Sequence, residues 1–144
     1  MDNQSLAARR GILVGMLLTG LLAAACSAAT IKLGRSSQIP AAEGKVNLRQ
    51  TSSGNTEIKL NVKHLAAPER IEPTSSTFVV WVRGLEFGAQ PQNLGALRVN
   101  KKLNGTLRST TSLRAFDLFI TAEGTSTVTA PTSPELLAVH YTGK

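Results

Sequence analysis

Few side chains in this sequence are equipped for chemistry, and Cys26, the only thiol, is the best placed of them. It closes an apolar run from Gly11 to Ala25 that follows the basic pair Arg9-Arg10. Charge, then an apolar stretch, then small residues is the pattern of an export signal, with the thiol at the cleavage end. The two histidines, His64 beside a loop and His140 in the last strand-like segment, fall short of the three or four ligands that a metal site needs. Glu57, Glu69, Glu72, Glu86, Asp117, Glu123 and Glu135 are dispersed, with no close pair arranged for general acid and base work. Asp117 stands out because it interrupts an apolar strand, where a carboxylate needs a partner or an exposed face; pairing with Arg83 or Arg114 is favoured over catalysis with a histidine. Neither a Gly-x-Ser-x-Gly elbow nor a Gly-rich phosphate loop with lysine is present. Trp81, inside Phe-Val-Val-Trp-Val, reads as core and not as a sugar-stacking platform. The expectation is a non-enzymatic protein with no catalytic residues, no cofactor and no metal.

Ala23-Ala24-Ala25-Cys26 resembles a bacterial lipoprotein lipobox, although Ala23 stands where leucine is favoured, with Leu22 one place back. The resemblance implies that residues 1–25 are a signal peptide, helical in its apolar part. It also implies that the Cys26 thiol takes up a diacylglycerol and becomes the N-terminus, with acyl chains such as palmitate holding the protein to a membrane. The alternative is a retained signal anchor, since Gly11 to Ala29 approaches the length of a bilayer core. Arg9 and Arg10 stay cytoplasmic in both cases, and the small residues of the second half favour cleavage. Arg9-Arg10-Gly11-Ile12-Leu13 also resembles a twin-arginine export motif, with the ordinary secretory route favoured. Ser27 after the cysteine is compatible with outer-membrane sorting where the cell has two membranes. The predicted location is the cell envelope, on the extracytoplasmic side.

With Cys26 consumed by lipid, the exported part has no thiol and no disulfide, so burial alone must hold it. Residues 27–144 suffice for one domain and are too few for two. They carry 14 Lys and Arg against 8 Asp and Glu, about +6, scattered singly along alternating segments, which reads as a solvated face. Acidic lipid head groups, an envelope protein and polyanionic envelope polymers are compatible partners; nucleic acid is not expected, because export separates the two and aromatic residues are too few for a stacking platform.

Residues 26–43 are weakly patterned and read as a flexible tether, with the folded domain over 44–144. Lys45 to Gln50 and Thr56 to Lys63 alternate apolar and polar around a turn at Thr51 to Asn55, the mark of a hairpin with one wet side. Leu65 to Ser76, with Pro68 and Pro73, reads as a loop crossing between sheets. Thr77 to Arg83 is apolar on both faces and should be a central strand. A strand at Leu94 to Val99 should turn at Asn104-Gly105, a pair suited to a type I′ turn, with Leu107 answering Leu103. That reading makes the Asn104-Gly105-Thr106 sequon a turn and not a glycosylation site. Ala115 to Ala122 and Glu135 to Tyr141 complete about seven strands, with no helix after the signal. The fold class is therefore all-β, an antiparallel β-sandwich, with a small barrel as the alternative.

Thr77-Phe-Val-Val-Trp-Val, Asn93-Leu-Gly-Ala-Leu, Phe116-Asp-Leu-Phe-Ile-Thr-Ala-Glu and Pro131-Thr-Ser-Pro, in this order, resemble the extracytoplasmic β-sandwich domain of anti-sigma-K-type factors. The similarity covers roughly residues 45 to 141. It implies a sandwich and supplies no active site. Such factors carry a cytoplasmic helical domain that holds the sigma factor, whereas Met1 to Arg10 alone precede the apolar run here. What the resemblance implies is a sensing or partner-binding role outside the membrane, exercised through a separate partner.

Overall fold

The computed structural model describes residues 28–143. They form nine strands and one helical turn: β1 (Ala28–Lys32), β2 (Glu43–Gln50), β3 (Thr56–Lys63), α1 (Pro68–Ile71), β4 (Thr77–Gly84), β5 (Gln92–Ala96), β6 (Arg98–Val99), β7 (Gly105–Thr111), β8 (Phe116–Glu123) and β9 (Leu137–Tyr141). All pairings are antiparallel, giving one sheet in the order β1-β2-β3-β7-β6 and a second in the order β5-β4-β8-β9. The predicted signal helix and Cys26 lie outside the described residues.

Period-two alternation does the positioning. In β2 and β3, Val46, Leu48, Ile58, Leu60 and Val62 point inward, where they meet Phe78, Val80, Val82, Phe116, Leu118 and Ile120 of the second sheet in one core. Each such side chain contributes about 1.5–3 kcal/mol when fully buried, so this core can replace the absent disulfides. The hairpin at Thr51 to Asn55 forms where the alternation breaks, closed by Thr51 N–H donating to Asn55 O at 2.8 Å.

Four expectations need correction. The predicted tether belongs to the domain from Ala28 onward: β1 pairs with β2 from Ala28↔Arg49 to Lys32↔Lys45, and Leu33, Ile39 and Ala42 are buried in the core. The cause is a short alternation, Ala29, Ile31, Leu33, too sparse to see beside so many small residues. Ile39→Ala should therefore cost about 2–4 kcal/mol in urea denaturation. A change near zero would restore the tether.

The centre of the hairpin before β7 lies two to three residues earlier than expected. Val99 pairs with Gly105, so the turn is Asn100 to Asn104, and Asn104-Gly105 leads into the strand. Asn100 Oδ1 accepts from the backbone N–H of Lys102 at 2.9 Å and of Asn104 at 3.0 Å, an Asx-type cap, while Leu103 takes the left-handed φ of 58°. Leu107 consequently answers Leu60 of β3, not Leu103. The single predicted strand Leu94 to Val99 is split between the sheets at Leu97, whose N–H donates to Phe78 O while β6 moves to the first sheet. The crossing loop after β3 contains the helical turn α1, begun by Pro68, which needs no N–H in the first turn.

β4 is central, between β5 and β8, and buried along nearly its whole length. Its outward side is roofed by the segment between β8 and β9: Val128 packs on Val79, Trp81 and Phe119, a second small cluster. Both faces of β4 are thus dry, which is why its sequence is apolar throughout.

Candidate functional site

The chemistry-bearing residues fall on the outward faces of the two sheets, where strand register decides which of them meet. On the second sheet, Arg83↔Asp117 and Asp117↔His140 are directly opposed across β4, β8 and β9. Asp117 Oδ1 contacts His140 Nδ1 at 2.7 Å and Oδ2 accepts from Arg83 Nη2 at 3.4 Å. Arg83 Nη1 reaches Glu135 Oε1 at 3.3 Å, and the guanidinium stands 5.1 Å above the Phe119 ring centre. Of the two arginines expected for Asp117, Arg83 is the partner; Arg114 lies over the turn at Gly54, 3.0 Å from where a side chain there would begin. His64 follows β3 with a left-handed φ of 56°, and its N–H donates to Asn104 Oδ1.

An imidazole oriented by a carboxylate is two-thirds of a nucleophilic triad. No hydroxyl or thiol is hydrogen-bonded to His140 among the described residues. The His140 side chain is 60% exposed and opens to water, so the row is an exposed ion-pair ladder worth about 0–1 kcal/mol per pair. No group of three or more His, Cys, Asp or Glu among the described residues is arranged to hold a metal ion.

Farther along the same face, beneath the roof segment, is a buried polar chain that no local sequence pattern singles out. Trp81 Nε1–H donates to Thr121 Oγ1 at 2.9 Å, and the Thr121 hydroxyl donates to Glu123 Oε1 at 2.6 Å. Glu123, with no solvent exposure, also accepts from Thr132 N–H at 3.0 Å and from the Thr132 hydroxyl. Burial pushes the Glu123 carboxyl up, but the hydrogen bonds from Thr121, Thr132 and the Ser133 backbone outweigh it and hold the group below the ordinary 4.5. Asn93 Nδ2 donates to Ser126 O and Val128 O, tying the same roof segment to β5. Trp81, Asn93, Thr121, Glu123 and Thr132 come from the four segments quoted for the family resemblance, and their role here is to fasten the roof. No protein-family model matches this chain, and no curated protein matches it.

The outward face of the first sheet is different in kind. It presents Lys32, Lys45, Arg49, Lys59, Lys63, Arg98 and Arg108 against two carboxylates, Glu43 and Glu57. The described residues hold thirteen Lys and Arg against eight Asp and Glu, a surplus of five, and this face alone carries a surplus of five. Everything else balances. The charges read as scattered in sequence are therefore gathered by the fold. The alternation of Lys45 with Arg49 and of Lys59 with Lys63 is the visible part of that signal; Arg98 and Arg108 join only through the β3-β7-β6 pairing. Glu57 is held below the ordinary 4.5 chiefly by the hydrogen bond from Arg49, and Lys59 assists.

Proposed function

We propose that this chain is an envelope lipoprotein, tethered by lipid at Cys26 on the extracytoplasmic side of a membrane, whose β-sandwich binds a partner and catalyses no reaction. The sequence around Cys26 carries the tether, and the place where the chain enters the domain supports it. β1 begins at Ala28, two residues after Cys26, a reach of at most about 7 Å. Register puts Ala28, the turn at Thr51 to Asn55, Gly84, Phe116 and Tyr141 at one end of the sandwich. The loop leaving Gly84 at that end carries Leu85, 41% exposed, and Phe87, fully exposed. An apolar tip at the same end as the chain entry suits a domain resting end-on against a lipid interface. The binding role is supported by the one-sided charge of the first sheet.

The second reading is an anti-sigma-factor-like sensor held by an uncleaved anchor and acting through a separate partner. It rests on the segments quoted above. Intact mass of the protein extracted from membranes, beside a Cys26→Ser control, separates the two. A mass for residues 26–144 plus acyl chains, lost in the control, is expected; an unprocessed mass would sink the lipoprotein and leave the anchored sensor.

A further inference from the structure

We infer that the outward face of the first sheet is a binding surface for a linear polyanion, a polymer bearing a phosphate or carboxylate on each repeat. Two cross-strand pairs on this face, Lys32↔Lys45 and Lys59↔Arg108, place like charges directly opposite one another. Such pairs destabilise a sheet on their own, and a bound anion relieves the repulsion. Around the second pair lies a cleft of about 780 Å³ that crosses the strands from Asn47 on β2 to Arg98 on β6. Three steps between neighbouring strands make this span about 14 Å, longer than one phosphate or carboxylate. Lys59, Arg108 and Arg98 follow one another along it, and Asn47, Asn61 and Thr106 offer neutral donors and acceptors between them. A line of cations in a groove fits a chain with repeated charges, where a flat bilayer would touch only the rims. No aromatic side chain stands on the face, which excludes recognition by ring stacking and leaves charge and hydrogen bonding as the means.

The inference deepens the binding role proposed above and depends on the lipid tether only for where the polymer is met. Its test leaves the tether aside: the full-length chain in neutral detergent, titrated calorimetrically with inorganic polyphosphate and with polygalacturonate. Binding of one or both is expected, weakening as salt is raised, and the preferred polymer identifies the charged group. The double reversal Lys59→Glu/Arg108→Glu should weaken binding about tenfold or more, whereas Arg35→Glu/Arg70→Glu, equal in charge but off the face, should change it by less than about twofold. Circular dichroism establishes that both variants are folded. A misfolded face variant is replaced by footprinting of the unaltered chain with diethyl pyrocarbonate, in which polymer must protect Lys45 and Lys59 and spare His140 on the opposite sheet. Equal loss in the two variants, protection that includes His140, binding of neither polymer, or protection by phosphatidylglycerol vesicles alone would each overturn the inference.

Discussion

Trp81→Ala should destabilise the domain by about 3–5 kcal/mol, the range for removing a buried aromatic side chain. Three contacts are lost together. Trp81 has no solvent exposure and stacks on Phe119 with ring centres 6.4 Å apart and planes 16° from parallel. It supports Val128 of the roof, and its indole N–H starts the chain through Thr121 to Glu123. Domains of this size have a total stability of about 5–15 kcal/mol, so the variant should melt roughly 15 °C or more below the parent. Trp81→Phe separates the contributions: it keeps most of the packing, drops the donor and should cost about 1 kcal/mol for the lost hydrogen bond. Thermal melts followed by far-ultraviolet circular dichroism read both. A loss below about 1 kcal/mol for the alanine variant would mean that the roof does not depend on Trp81, and the sugar-stacking reading would return. In the parent, the single tryptophan should emit like a buried indole and shift to the red on unfolding, which makes it the reporter for the other variants.

What the sequence revealed was set by how local each cause is. The hairpin from Lys45 to Lys63 is written in one continuous alternation, and β4 in a run with no polar break before Arg83; both formed where expected. Asp117 showed its need for a partner, since a carboxylate among Phe116, Leu118 and Phe119 must be paired or exposed, and here it is both. The turn at Asn100 was hidden because its cap is a side chain acting on N–H groups two and four residues on, while Asn104-Gly105 offered the more familiar pattern. β1 was hidden because three inward residues within Ala28 to Leu33 are less conspicuous than the small residues around them. The basic face could be read only in part without the strand order, because neighbours on it, such as Lys59 and Arg108, are far apart in the chain. The buried position of Glu123 depends on a roof that returns from Thr132, and nothing local marks it.

Replacing Glu123 should be the most pH-dependent change in the protein. Its carboxylate is held by neutral donors alone, since no lysine or arginine forms a salt bridge with it among the described residues. Removing a buried ion pair as a unit can leave stability unchanged, but that argument does not apply to one carboxylate on which four donors converge. Glu123→Leu leaves the Thr132 N–H without a partner and opens the chain from Trp81, so a loss of about 3 kcal/mol is expected at neutral pH. Glu123→Gln keeps the shape and most hydrogen bonds and loses only the charge, which should cost about 1–2 kcal/mol there. The sign of the pH effect follows from the lowered folded value. In the window below 4.5 the unfolded chain binds the proton more readily than the folded one. The charge therefore stabilises the fold fully above that value, and this contribution is lost as pH falls through the folded value. Urea denaturation of parent and Glu123→Gln, followed by Trp81 emission, should give a gap at pH 7 that narrows toward pH 3.5. A gap of the same size at both pH values would mean that the carboxylate is held by its shape alone, and that the hydrogen bonds do not favour its charged form.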